Sequence, residues 1–254
     1  MSLRRFYAEP EAFARTPGCV TLSEEESRHL RDVLRLRAGD EARVFDGEGR
    51  EYACVVREVG GRKGNATLEV RGQAEPPSPE SPLALTLAVA LLKGEKFDLV
   101  VQKATELGVA LVKPLLTKRA DVRPRDERDA AKRVERWNRL ALEAAKQSGR
   151  ARVPAVAQPS AFETFVGAES GKDSLRVMFA ERGGLGLNEL PRSDAPPANA
   201  SALVGPEGGW EDDEIELARA CGWHVVTLGG RTLRAETAAM TVCALLQHLY
   251  GDLK

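Results

Sequence analysis

Two glycine-rich turns near the C-terminus limit the fold of this chain more than any other feature. They read LVGPEGGW at residues 203–210 and TLGGRTLRAETAAM at residues 227–240. Each turn follows a short apolar run and precedes a helix-like segment, which predicts two strand–turn–helix units. Such units bring turn N–H groups and helix N-termini to one edge of a parallel sheet, where α/β proteins bind ligands. We therefore expect the functional site at that edge.

The segment before the turns alternates between strand and helix patterns. Strands are predicted at 83–91, 111–116, 153–157 and 175–180, and helices near 95–107, 127–148 and 161–166. This alternation predicts an α/β domain with a parallel sheet. The helix that follows the second turn is apolar almost all round, so we expect it to be buried under its own sheet or in a subunit interface.

The first 73 residues have a different pattern, with short strands and frequent turns that are typical of a small β-barrel or sandwich. The predicted strands are 19–22, 41–45, 50–59 and 66–70. One helix is expected to run from Ser23, its N-cap, to Leu36, with Glu26 as the capping-box partner. Four prolines in residues 74–82 predict a stiff linker. The expected domains are therefore 1–73 and 83–254.

The charge of the chain is balanced overall, with 37 basic and 38 acidic residues in 254, so net charge points to no partner. Residues 118–152 are the exception, with twelve Lys or Arg against six Asp or Glu. This basic belt is compatible with binding to a polyanion. A solvated helix face rich in arginine explains the same composition equally well. Within its predicted helix, Lys132, Arg136 and Arg139 share one face.

The cysteines, the histidines and the N-terminus suggest no disulfide framework, metal site or membrane segment. Cys19, Cys54, Cys221 and Cys243 are far apart and form no C-x-x-C pair, so neither a disulfide framework nor a zinc site is predicted. The three histidines are too dispersed to suggest a metal centre. The N-terminus has no apolar signal core, and no apolar run has spanning length. We expect a cytoplasmic protein with no metal and no membrane partner.

Four ordered motifs together resemble one bacterial family. They are the two glycine turns, KGEKFDLVVQKATELGV at 93–109 and WNRLALEAAKQSGRARVP at 137–154. The family is that of ribosomal RNA small-subunit methyltransferases that act on N3 of a uridine, whose catalytic domain is of the SPOUT class. RRFY at 4–7 and the segment 29–52 resemble the family's PUA-like RNA-binding barrel. The chain departs from the family pattern at Gly230, where Pro is usual, and at Ala235, where Thr is usual.

The resemblance implies a SPOUT-type knotted α/β domain, with a trefoil knot and a parallel sheet, behind a PUA-like β-barrel. It also implies a homodimer, S-adenosylmethionine as cofactor, and ribosomal RNA or the small ribosomal subunit as partner. The implied reaction is methylation of uridine N3 in 16S ribosomal RNA. Two alternatives keep the same scaffold: another SPOUT methyl transfer, to a ribose 2′-oxygen, and a non-catalytic ribosomal-RNA-binding assembly factor.

Methylation at N3 requires an enzyme to orient the base and to stabilise the negative charge that develops on it. By comparison with the family, Arg234 is the candidate for that stabilisation. Glu207 and Glu236 are candidate proton acceptors, and their spacing does not choose between them. Cofactor contacts are expected along both turns, at Leu203, Val204, Gly205, Pro206, Glu207, Gly208, Gly209, Leu228, Gly229, Gly230, Leu233 and Arg234.

RNA contacts are expected in both domains. The candidates in the barrel are Arg4, Arg5, His29 and Arg35, and those around the catalytic cleft are Lys93, Lys96, Arg119, Gln147 and Arg150. For Arg5 and Arg35, the sequence is equally compatible with side chains that only cover the barrel surface and bind no RNA.

Overall fold

The computed structural model describes residues 4–61, 64–168, 174–190 and 195–253. The chain divides into two compact units. The first comprises Met1–Glu80 together with Ala145–Val153, and the second comprises Ser81–Ala144 and Pro154–Lys254. A nine-residue segment from the middle of the chain thus belongs to the N-terminal unit.

The first unit is built on one five-stranded sheet. Its elements are β1 (Arg5–Tyr7), α1 (Pro10–Ala14), β2 (Cys19–Thr21), α2 (Glu24–Arg28), a π-helical turn at His29–Val33, β3 (Glu41–Phe45), β4 (Glu51–Glu58) and β5 (Thr67–Ala74). The strand order is β1-β3-β4-β5-β2. Only the β1–β3 pair is parallel. Strand β1 and helix α1 were not predicted, because three to five residues are too few to show a clear period.

The helical segment of this unit begins as predicted, with Ser23 Oγ accepting a hydrogen bond from the N–H of Glu26 at 3.2 Å. The predicted reciprocal bond of a capping box is wrong, because the Glu26 carboxylate pairs with Lys146 at 2.6 Å instead. The predicted end at Leu36 is also wrong. The last helical residue is Val33, and Arg35 has a φ of 52°, a left-handed conformation that a helix cannot continue through.

The second unit contains the strands and helices that the sequence pattern predicted, with shifts at their ends, together with a two-residue strand and a 3-10 turn that it did not predict. They are β6 (Ala84–Ala90), α3 (Lys96–Glu106), β7 (Leu111–Leu116), α4 (Glu127–Ser148), β8 (Ala155–Val156), β9 (Ser160–Ala161), α5 (Phe162–Val166), β10 (Ser174–Phe179), a 3-10 turn at Leu187–Glu189, β11 (Asn199–Val204), α6 (Asp212–Ala220), β12 (His224–Val226) and α7 (Ala235–Tyr250). Helix α4 crosses from this unit, and its last turn belongs to the first unit.

The sheet of the second unit has the order β12-β10-β11-β6-β7-β8, with β9 also paired to β7. Every pair is parallel, which confirms the predicted parallel sheet. Strand β12 lies at one edge, whereas α7 packs against α3, β6 and β11. The segment between them, residues 227–234, therefore leads from the sheet edge towards the sheet centre.

The apolar C-terminal helix packs one face on its own sheet, which is one of the two predicted alternatives, and its other face is partly exposed. Ala239, Val242, Cys243 and Leu246 are fully buried, whereas Leu249 remains 44% exposed. All four cysteines of the chain are free thiols. Across the described ranges, no helix combines the length and the apolar composition needed to cross a membrane.

Candidate functional site

A cleft of about 870 Å³ opens at the carboxyl ends of β10, β11 and β12. Its walls are residues 179–181, 204–209 and 227–235, together with Lys96 and Ala238. The two glycine turns thus meet at one edge of the parallel sheet, and the volume is typical of sites for small ligands and cofactors.

The first wall is the GPEGG turn, and the buried side chain of Trp210, the next residue, packs against it. This side chain is fully buried, its Nε1 donates to the carbonyl oxygen of Phe179 at 2.9 Å, and its ring packs against Phe162 with centroids 5.2 Å apart. Gly209 has a φ of 71°, which favours glycine, and a Cβ there would collide with the Glu181 carboxylate. The turn therefore exposes backbone atoms to the cleft while its far end is held rigidly.

The second wall is the segment that enters α7. Gly229 has a φ of 85°, and its carbonyl oxygen accepts the Arg231 N–H at 2.8 Å. Arg234 is the N-cap residue of α7, and its carbonyl oxygen accepts the Ala238 N–H at 2.8 Å. Arg231 and Arg234 are both exposed on the cleft, and neither has a carboxylate partner within the described ranges. The cleft therefore presents two cations beside a helix N-terminus, and no described carboxylate pairs with either of them.

The two candidate acids differ in their surroundings. Glu207 lines the cleft, and its Oε1 accepts hydrogen bonds from the Lys93 N–H at 3.3 Å and from Lys96 Nζ at 3.0 Å. Burial raises the pKa of Glu207, but the Lys96 hydrogen bond, backbone N–H groups and the Lys96 charge outweigh burial, so the pKa is lowered overall. Glu236 is 9% exposed, and its Oε2 lies 4.0 Å from Lys96 Nζ without a hydrogen bond in the described structure.

Most of the expected cofactor residues line this cleft, and one does not. Leu203 is fully buried in the apolar core of the second unit. The third wall, at Phe179, Ala180 and Glu181, was not predicted, and neither were the lining residues Thr227, Ala235 and Ala238. The third wall follows β10, which pairs with both β11 and β12. That strand order cannot be deduced from motif spacing.

The expected RNA contacts of the second unit lie near the GPEGG turn. Lys93 pairs with Asp121 at 2.7 Å, and Lys96 is bound to Glu207 as described. Arg119 holds both oxygens of Glu211, at 2.8 and 3.0 Å, and donates to the Gly208 carbonyl oxygen at 3.1 Å. The Arg119 side chain therefore links the turn to the start of α6.

The remaining expected RNA contacts belong to the first unit. Arg4, Arg35 and Gln147 are exposed, and His29 packs edge-on against Phe6 with ring centroids 6.1 Å apart. Arg5 and Arg150 are different, because their side chains are only 7% and 5% exposed.

Arg5 and Arg150 form a buried polar network that ties residues 145–153 to the sheet of the first unit. Arg5 pairs with Glu51 at 2.8 Å, donates to the Arg150 carbonyl oxygen at 2.7 Å, and lies 4.2 Å from the Phe45 ring centroid. The Arg150 guanidinium pairs with Glu80 at 2.6 Å. These contacts give both arginines a structural role.

Comparison with known proteins places both units in one family. Residues 79–247 match the RNA methyltransferase domain, and residues 22–69 match the RNA methyltransferase PUA domain. A ribosomal RNA small subunit methyltransferase E from Synechocystis is 36% identical over 91% of this chain and 73% of its own length. The protein of that name from Bacillus subtilis is 30% identical over 91% of this chain and 92% of its own length.

Two solved structures are similar over the whole chain. A Legionella pneumophila methyltransferase, in complex with bound S-adenosylmethionine, has 33% identity and a TM-score of 0.85 and covers 100% of both chains. A ribosomal RNA small subunit methyltransferase E from Neisseria gonorrhoeae, also bound to S-adenosylmethionine, has 31% identity and a TM-score of 0.85, covering 99% of this chain and 100% of its own. These matches confirm the PUA-like unit, the methyltransferase α/β unit and the resemblance seen in the motifs. The chain belongs to the ribosomal RNA small subunit methyltransferase E family of RNA methyltransferases.

Proposed function

We propose that this protein transfers a methyl group from S-adenosylmethionine to N3 of a uridine in small-subunit ribosomal RNA. One observation carries the proposal: both family glycine turns line one cleft, and so does Arg234, which has no carboxylate partner among the described residues. The relatives named for this RNA, and those solved with the cofactor, support the assignment. Because small ribosomal subunits are cytoplasmic particles, the proposal implies a cytoplasmic enzyme.

The cleft fits this cofactor. Backbone groups of 204–209 and 228–234 would hold it, because both segments line the cleft and the Cβ positions of Gly229 and Gly230 face open space. At Gly209 the positive φ of 71° itself favours glycine, and an added Cβ would displace the flexible end of the Glu181 side chain. When bound, S-adenosylmethionine supplies a methyl group that is already activated for transfer.

The protein groups act on the uridine. N3 carries a proton that must leave before its lone pair is available, and the base then holds negative charge. Arg234 would stabilise that charge, assisted by the N-terminus of α7, where the helix dipole is positive. The proton would pass to Glu207, which lines the cleft, or to Glu236 in the first turn of α7. Although burial raises the pKa of Glu207, the Lys96 hydrogen bond and backbone N–H groups lower it overall, so this carboxylate is ionised at neutral pH.

The proposal includes a trefoil knot in the second unit and a homodimer, both implied by the family. The path of 227–234, from the edge strand to a helix packed near the sheet centre, is compatible with a threaded chain.

A dimer would cover three exposed leucines of this unit. They are Leu249 and Leu253 in the C-terminal segment, exposed by 44% and 41%, and Leu99 on α3, exposed by 37%. Sedimentation of the purified protein would test the dimer.

The exposed basic side chains of α4 offer a surface for RNA phosphates. Lys132 and Arg139 are exposed and have no ion-pair partner within the described structure, whereas Arg136 pairs with Asp98. We expect Lys132→Ala combined with Arg139→Ala to weaken RNA binding for all sequences alike. The slope of log affinity against log salt should fall by about 1 for each phosphate that the variant no longer neutralises. An unchanged slope, measured by filter binding, would show that these side chains only solvate the helix.

The reaction is tested with isotopically labelled S-adenosylmethionine and small ribosomal subunits from cells that lack the modification. Nuclease digestion followed by mass spectrometry should recover the label as N3-methyluridine. Label on a ribose would identify a different methyl transfer. Cofactor binding by calorimetry without any transfer would point to an RNA-binding assembly factor.

A further inference from the structure

Lys96 lies between the two candidate acids, Glu207 and Glu236. Its Nζ is 3.0 Å from Glu207 Oε1 and 4.0 Å from Glu236 Oε2. Lys96 is the first residue of α3, Glu207 belongs to the GPEGG turn, and Glu236 belongs to the first turn of α7. One ammonium group therefore connects three segments that are distant in sequence.

The surroundings of Glu236 favour this position of the Lys96 ammonium group. The Glu236 side chain is 12% exposed, and its Oε2 is fully buried without a hydrogen bond in the described structure. A buried carboxylate without a nearby opposite charge is strongly unfavourable. If Lys96 turned outwards to an RNA phosphate, Glu236 would be left without that charge. The arrangement therefore favours a Lys96 that remains inside the cleft.

We propose that Lys96 is a positioning residue for Glu207, with Glu236 as its buried counter-charge, and that Glu207 accepts the N3 proton. The inference rests on the proposed function. Lys96 and the Lys93 N–H both hold Oε1 of Glu207, so the other oxygen of this cleft-lining carboxylate remains available to the base. The proton moves from N3 to that oxygen, and the electron pair left on the base is stabilised by Arg234. Glu236 does not line the cleft, which suits a supporting role.

The charges around Glu207 give the expected pH effect. Lys96 and Lys93 lie on the α3 side, Glu236 lies on α7, and Arg231 and Arg234 line the same cleft. Of these side chains, Lys96 is the one that both hydrogen-bonds to Glu207 and lowers its pKa by charge. Without Lys96 the pKa of Glu207 should rise. A base with a higher pKa is protonated at a higher pH, so the acid limb of the activity profile should shift upwards.

The test compares Lys96→Met with a matched control on the same helix. Lys103 has the same side-chain exposure, 36%, and also pairs with a carboxylate, Glu106 at 2.9 Å. We expect Lys96→Met to lower kcat about tenfold or more, because misplaced catalytic groups cost rates of this order. The acid limb should move to higher pH, and the KM for RNA should change little. Lys96→Arg should restore part of kcat, and Lys103→Met should behave like the unchanged protein.

A phosphate contact would give a different result. If Lys96 binds RNA, Lys96→Met should raise the KM for RNA and lower the salt slope by about 1, with kcat and its pH profile unchanged. That outcome would overturn the positioning role.

A second measurement separates this inference from the proposed function. Carboxyl-carbon NMR of labelled Glu207, assigned with Glu207→Gln, reports its pKa in the resting protein and needs no turnover. A pKa that rises in Lys96→Met supports the Lys96–Glu207 interaction, even if the unchanged protein forms no N3-methyluridine and the proposed function fails. An active protein in which Lys96→Met leaves the Glu207 pKa unmoved would refute the positioning role while the function stands.

Discussion

Replacement of Arg234 by alanine is expected to reduce kcat by about 10²- to 10³-fold, the loss seen when one positioned group that stabilises developing charge is removed. The physical reason is its place at the N-cap of α7, where the helix fixes its backbone beside the cleft and no carboxylate of the described chain neutralises it. Cofactor affinity, measured by calorimetry, should change far less than kcat. Single-turnover transfer of labelled methyl groups would measure the chemical step directly.

Arg231→Ala provides the comparison, because it removes the same charge from the same turn. Arg231 lies in the loop before the helix and is also exposed on the cleft. If both variants lower kcat equally, the effect comes from the general positive potential of the cleft and the assignment to Arg234 is wrong. Arg234→Lys keeps the charge without the planar guanidinium, so it should restore activity only in part.

Much of the second unit could be predicted because its elements are long and their turns are chemically distinctive. Strand β7 and helix α4 lie where the periodicity put them. The glycine turns followed their strands and converged as parallel strands require. The third wall, after β10, could not be predicted, because pairing order in a sheet depends on contacts between distant segments. A strand order of β12-β10-β11 has no local signature.

The first unit shows a different limit. Arg5 and Arg150 look in sequence like exposed basic residues, yet their charges are buried against Glu51 and Glu80. Nothing local indicates that residues 145–153 return to the first unit, because the contacts that hold them join positions about 70 to 145 apart in the chain. Local composition can suggest a basic surface, but only tertiary contacts decide which cations are free to bind RNA.

Trp210, the last residue of the GPEGGW sequence, is expected to contribute to both the stability of the fold and the affinity for the cofactor. Trp210→Ala should lower the free energy of unfolding by about 3–5 kcal/mol, since a fully buried ring is removed together with its hydrogen bond to Phe179. The cavity would lie beneath Gly205, whose Cβ position is 3.0 Å from the indole ring. The turn should therefore lose its rigid support, and S-adenosylmethionine affinity should fall at temperatures where the variant is still folded.

Trp223→Ala is the matched control for this prediction. Trp223 is 5% exposed, and its Nε1 donates to the Val166 carbonyl oxygen at 3.2 Å, but its partners Phe165, Val166 and Arg176 do not line the cleft. Its removal should cost a similar unfolding free energy and leave cofactor affinity nearly unchanged. Denaturant unfolding and calorimetry on both variants separate the two effects. Equal losses of affinity would mean that the cofactor responds to overall stability, and that Trp210 has no special role beneath the turn.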